Sequence, residues 1–154
     1  VSRSLASDAA ASWGDFPETV LHFDTSPAAR IDLRRPVDAA VRETLRGRGL
    51  ERAFGVITAE DPLGATQSPG VNERLAAELR VEMDEAHAKY VAVDACSPDH
   101  AHCESSLAVV MDLTSLVDVA RRYAQLAIFW FDGDAFWIMP VLSSNAPLRL
   151  PASH

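Results

Sequence analysis

Apolar positions recur along the chain with two different periods, and the switches between them mark its elements. Over residues 19–24, Leu21 and Phe23 alternate with Val20 and His22, the two-residue period of a strand, and Ser26-Pro27 ends it. Ile31 and Leu33 repeat the alternation and are expected to pair with that strand. Behind Pro36, Val37, Val41 and Leu45 recur every fourth residue, the spacing of a short amphipathic helix closed by Gly47 and Gly49. Residues 54–59 form a compact, β-branched run of strand length, broken by Asp61-Pro62-Leu63-Gly64. Ser68 before Pro69 is an N-cap and first-turn pair for a helix whose apolar face is Val71, Leu75, Leu79 and Met83. Strands are predicted over 90–93 and 104–111, separated by a polar loop at 94–102. Thr114 or Ser115 is placed to cap a further helix with the stripe Leu116, Val119, Ala120 and Tyr123. Residues 127–131 make the next strand, and Asp132-Gly133-Asp134 turns it into a hairpin partner at 135–139.

From Phe54 onward the order is strand, helix, strand, strand, helix, strand and hairpin partner. That order predicts an α+β fold: a ferredoxin-like split β-α-β core (β-α-β-β-α-β) with an extra C-terminal hairpin strand and an N-terminal strand/helix extension. Right-handed crossovers would put both helices on one face of the sheet. A three-layer α/β sandwich is the alternative. Residues 1–17 are expected to be a flexible arm anchored only by Trp13 and Phe16, residues 18–146 one α+β domain, and residues 147–154 a flexible tail.

Composition narrows the function classes. Fourteen Lys and Arg against 22 Asp and Glu leave a net charge of −8 in 154 residues, which disfavours both nucleic-acid backbones and anionic membranes as partners. No apolar run reaches the length of a membrane span, and the first residues lack a signal peptide's apolar stretch. Two cysteines are too few for a disulfide scaffold, so a cytoplasmic location with Cys96 and Cys103 reduced is the expectation, although a hairpin could bring them together.

Candidate chemistry concentrates in Ser97–Ser106. On a strand beginning near His102, the side chains of His102, Glu104 and Ser106 share one face while Cys103, Ser105 and Leu107 take the other. A histidine and a carboxylate two residues apart on a strand can hold a ligand or relay a proton. The run Ile57-Thr58-Ala59-Glu60-Asp61-Pro62, then Ser68 and Asn72, then Ser97, Asp99, His102, Glu104 and Ser106, and finally Tyr123 to Phe129 with Gln125, follow one another in order. This series resembles the bacterial domain-of-unknown-function family 3293, with its I-T-A-x-N-P, S-x-x-x-N, H-x-E-x-S and f-x-Q-x-A-i-f elements, over about residues 54–131. Asp61 stands where that pattern has Asn. The resemblance implies no activity; it implies that Asn72, His102, Glu104, Ser106 and Gln125 are matched polar positions in an apolar framework, and they are the candidate ligand-binding set.

Each candidate also has a purely structural reading. His102 and Glu104 can satisfy one another, Ser106 lies outside any G-x-S-x-G elbow, and Gln125 and Asn72 can tie their amides to neighbouring backbone. His100, His102 and Glu104, spaced i, i+2, i+4, form a weak metal-ligand candidate without a supporting H-E-x-x-H or C-x-x-C. No cofactor is indicated. Phe129, Trp130, Phe131, Phe136 and Trp137 read as core and hairpin packing, and Arg30, Arg34 and Arg35 as a solvated face. The leading expectation is a small-ligand-binding or regulatory domain. The alternatives are an enzyme using His102 or Glu104 as general acid/base, with metal-assisted hydrolysis as one form, and a protein-interaction module, for instance a homodimer through an edge strand.

Overall fold

The alternating runs become eight strands: β1 (Val20–Phe23), β2 (Ala29–Asp32), β3 (Phe54–Thr58), β4 (Lys89–Cys96), β5 (Cys103–Val110), β6 (Ala127–Phe131), β7 (Phe136–Pro140) and β8 (Leu148–Arg149). They belong to a computed structural model that describes residues 10–25 and 27–152. All eight lie in one sheet of order β2-β1-β4-β5-β3-β6-β7-β8, and every neighbouring pair is antiparallel. The sheet curls into a half-barrel. This overturns the ferredoxin-like core with one added strand, and with it the sandwich alternative. The reason is the edges. A four-stranded core leaves two rows of unpaired backbone groups, and segments read as peripheral fill them. The β1–β2 hairpin docks on β4, with Val20 opposite Cys96 and His22 opposite Asp94. At the other end, β8 pairs with β7 and buries Leu148 and Leu150, so part of the stretch expected as a tail completes the sheet.

The period-two alternation sends side chains to two separate cores. One face carries Ile57, Leu107, Val109 and Ile128 against the helices α2 (Pro69–Glu85) and α3 (Leu113–Arg122), which contribute Leu79, Met83, Leu116, Val119 and Ala120. The opposite face carries Phe23, Val56, Ala108, Phe129 and Phe131, covered by Leu45 of α1 (Ala39–Arg46), Leu50 and Trp13. Residues 10–17, in the stretch expected as an arm, pack here: Trp13 is buried, and its indole Nε1 donates to Ala146 O at 2.9 Å. The calls for residues 1–9 and 153–154 lie outside the described residues.

Helix starts follow the strongest available acceptor. Ser68 caps α2 by accepting from Val71 N at 3.2 Å, with Pro69 in the first turn. α1 begins after Asp38, whose carboxylate accepts from Val41 N at 2.9 Å. For α3 the cap is Asp112, accepting from Ser115 N at 3.0 Å, so Thr114 and Ser115 lie inside the first turn rather than capping it. A carboxylate complements the positive end of the helix dipole better than a hydroxyl does.

The β4–β5 hairpin departs most from expectation. β4 continues through Asp94, Ala95 and Cys96, which had been read as loop, because β1 and β5 flank it and satisfy its backbone on both sides. At the last rung Cys96 faces Cys103, their Cα atoms 4.0 Å apart, and the two are joined in a disulfide rather than being reduced thiols.

Gly55 is the tightest point between sheet and helix. A Cβ there would fall 2.1 Å from Leu116 Cδ2 and 3.3 Å from the Trp130 ring. Since Leu116 is fully buried, Gly55→Ala is expected to overpack this contact by about 1–3 kcal/mol. Thermal unfolding followed by circular dichroism should show a lower Tm, by roughly 2–4 °C per kcal/mol.

Candidate functional site

On the face away from α2 and α3, a cavity of about 830 Å³ opens over β3, β5 and β6. Its floor follows from strand register. Ser106 pairs with Thr58 of β3 and Val93 of β4, which places Glu104 and Ser106 on the same face as Val56 and Phe129. His102 stands at the end of the 97–102 loop. That loop is braced by Ser97 and Asp99: Ser97 Oγ donates to Asp99 Oδ1 at 2.7 Å, Ala101 N to the same oxygen at 3.0 Å, and His102 N to Ser97 Oγ at 3.1 Å.

The second wall is the loop after β3. Asp61 adopts a left-handed backbone, φ 47°, a conformation that Asp and Asn tolerate better than most residues. Asn72 locks it from the first turn of α2, accepting from Asp61 N at 3.0 Å and donating through Nδ2 to Asp61 Oδ1 at 2.9 Å. Gln67 N donates to the same carboxylate oxygen at 2.9 Å. These donors hold the Asp61 carboxyl below its usual range, the Asn72 amide contributing most. Gln125 joins this loop to the turn before β6, its Nε2 donating to Glu60 O at 3.0 Å and Tyr123 O at 3.2 Å. Leu63 N adds a bond to Ala124 O at 2.7 Å.

The third wall is aromatic. Trp13 and Phe16 meet edge-to-face with ring centroids 5.6 Å apart, and Phe16 lies 6.0 Å from Phe129. The cavity therefore has an aromatic wall built by Trp13, Phe16 and Phe129, and polar groups supplied by β5, two loops and the N-terminal segment.

Of the sequence candidates, His102, Glu104, Ser106 and Gln125 line this one cavity; Asn72 stands behind it, acting on Asp61. Ser106 Oγ donates to its near neighbour Glu104 O at 3.1 Å. His100 leaves the proposed trio with His102 and Glu104: its Nδ1 lies 3.4 Å from His22 Nε2, on the other face of the hairpin. Among the described residues, the His/Cys/Asp/Glu group with donor atoms close enough for a metal is His22, Cys96 and His100. Sequence reasoning did not join Trp13, Phe16 or His22 to any site, because each reaches its partner across more than 70 residues.

Charge distinguishes the cavity. Asp15, Glu18, Asp61, Asp99 and Glu104 line it, and among the described residues no Lys or Arg does. Burial pushes the Glu104 carboxyl up to about 7; repulsion from Asp61 adds to this, His102 opposes it, and Glu60 adds a little more. Burial also raises Glu60, opposed by the Ser105 backbone N–H, which donates to its carboxylate at 2.7 Å. No hydrogen bond reaches the Glu104 side chain from the described residues.

Comparison with known proteins adds one match: the model of a family described as Protein of unknown function (DUF3293) covers residues 57–128. That span holds Asp61, Asp99, His102, Glu104, Ser106 and Gln125 of the cavity, while Trp13, Asp15, Phe16, Glu18 and Phe129 fall outside it. No curated protein and no solved structure matches the chain.

Glu104 should be visible in the pH dependence of stability. An unfolded Glu releases its proton near 4.5 and the folded one near 7, so between these values the native state holds more protons. Stability on this account is full at low pH and is lost as pH rises through about 7. Glu104→Gln, neutral throughout, is expected to flatten that slope and to be more stable than the native chain at pH 8 by about 2 kcal/mol, since solvent in the cavity screens part of the effect. Asp61→Asn keeps the acceptor for Gln67 and Asn72 but removes the charge facing Glu104. Carboxyl ¹³C titration should show the Glu104 midpoint moving down in that variant; an unchanged midpoint would refute the repulsion.

Proposed function

We propose, from the cavity this chain carries and its match to the model of the family of unknown function DUF3293 over residues 57–128, that the protein binds a small organic cation with an apolar or aromatic body. The carrying observation is the lining: five carboxylates, no Lys or Arg among the described residues, and an aromatic wall from Trp13, Phe16 and Phe129. A protonated amine placed against Glu104 would relieve its repulsion with Asp61 and supply the donors its carboxyl lacks. The apolar part would lie on Phe16 and Phe129, where desolvation contributes affinity and a ring can stack. His102, Ser106 and Gln125 serve as orienting polar groups in this reading. A bound cation favours ionised Glu104, so affinity rises with pH up to about 7, and binding below that pH releases a proton.

A homologous series of phenylalkylamines set against phenylalkanoates of equal length tests this by thermal shift and calorimetry. The amines are expected to raise Tm and the acids not, with Glu104→Gln losing about tenfold or more in amine affinity while its circular dichroism stays native. Equal binding of acids and amines, or undiminished amine binding by the Glu104 variant, would refute the proposal.

One observation favours a second reading. A carboxyl titrating near 7 is matched to proton transfer at neutral pH, so Glu104, with His102 as partner, suits general acid/base chemistry on a molecule held in the same cavity. An activity found for this chain would then fall on one side of a midpoint near 7, and Glu104→Gln would remove that limb together with about 100-fold or more of the rate.

A further inference from the structure

A second cluster of reactive side chains lies at the β1–β4–β5 corner, on the sheet face opposite the cavity. The β1–β4 register sets Val20 opposite Cys96, so His22, two residues along the strand, projects to the same face as the Cys96 sulfur. His100 reaches them from the 97–102 loop, where its backbone takes a left-handed turn at φ 60°. Its Nδ1 is 3.4 Å from His22 Nε2, the rings meet edge-on, and one ring nitrogen of each histidine and Cys96 Sγ all lie within 4.8 Å of one another. Cys103, across the last rung of the hairpin, holds Cys96 in the disulfide.

The spacing is informative. Two imidazole nitrogens bound to one tetrahedral zinc ion at about 2.0–2.1 Å stand about 3.3–3.4 Å apart, which is the separation already found between His22 and His100. Two nitrogens with one or two thiolates form a borderline-soft donor set that selects zinc over magnesium or calcium. The missing element is a free sulfur, since a disulfide sulfur is a poor ligand and the thiolate is the binding form.

We propose that His22, His100 and Cys96, with Cys103 as the available fourth donor, form a zinc site that opens only when the Cys96–Cys103 disulfide is reduced. A dithiol reductant cleaves the S–S bond, giving two electrons and two protons to the cysteine sulfurs and itself becoming a disulfide. Each cysteine that then binds zinc loses its thiol proton to solvent, and the metal stays divalent throughout. The loop 97–102 thus exchanges a covalent clasp for a metal clasp. Cys96 and the 97–102 loop also border the cavity, but the inference rests on no ligand bound there.

The test uses the whole chain with zinc, and with cobalt(II) as a coloured surrogate. Phosphine-reduced protein is expected to take up one zinc in competition with a chromophoric chelator, at least about 100-fold more tightly than the oxidised protein. Cobalt should give thiolate-to-metal charge-transfer absorption and the visible bands of a tetrahedral site. The double variant His22→Ala/His100→Ala, which keeps both cysteines, is expected to lose about tenfold or more of that affinity. Cys103→Ser provides a free Cys96 without reductant and should show the cobalt signature in air. Equal uptake by oxidised and reduced chain would refute the redox gate. Undiminished uptake by the double histidine variant would reduce the site to two thiols, and unfolding of both the reduced chain and Cys103→Ser would overturn the proposal, because it requires a folded reduced state.

Discussion

The antiparallel ladder between β4 and β5 governs where the chemistry of this protein lies. It runs unbroken from Lys89 opposite Val110 to Cys96 opposite Cys103. In a strand, neighbouring side chains point to opposite faces, so a slip of one residue would carry Glu104 and Ser106 away from the aromatic wall and into contact with the helical layer. The apolar residues farther along β5 prevent this. Leu107 and Val109 are buried against α2 and α3, and Ala108 against the opposite core. The disulfide closes the ladder's open end. Core packing at one end of the hairpin and a covalent bond at the other together hold His102, Glu104 and Ser106 over one hollow.

That hollow is electrostatically strained in a way an apolar core is not. A half-buried carboxyl without a hydrogen-bond donor, close to a second carboxylate, costs folding free energy that better-packed apolar residues would not. The Asp61 carboxylate accepts from two donors, Asn72 Nδ2 and Gln67 N, whereas the Glu104 carboxyl accepts from none among the described residues. The asymmetry separates two roles. Asp61 shapes a loop; Glu104 faces the cavity without a hydrogen-bond donor from the described residues. The strongly acidic composition, with a net charge of −8, thus has a local counterpart at this large concave surface.

The segments outside the matched family span alter the site as well as the sheet. Without residues 10–17, the cavity floor would be an open sheet face. With them it becomes a hollow walled by Trp13 and Phe16, fastened through the Trp13 indole to Ala146 near the other end of the chain. Trp13 and Phe16 stood out in the sequence as isolated aromatics in a polar stretch, but their partners, Phe129 and Ala146, are more than a hundred residues away, and no local period connects them.

Local physics was readable from the sequence. Alternation located β1 and β2, compact apolar runs located β3, β5 and β6, the Ser68-Pro69 pair began α2, and the order of short polar motifs pointed to His102, Glu104, Ser106 and Gln125. Strand length and helix caps were less legible, since Asp94–Cys96 looks like loop until β1 is seen to cover it, and Asp112 outcompetes Ser115 only through charge. Long-range pairing settled the remainder: the eight-stranded sheet in place of a small ferredoxin-like core, the joining of Cys96 to Cys103, and the meeting of His22 with His100. Backbone preferences and side-chain periods act over a few residues and are written in the order of the chain. Which strand edges meet depends on the free energy of the whole packed sheet, and that exists only once the distant segments have come together.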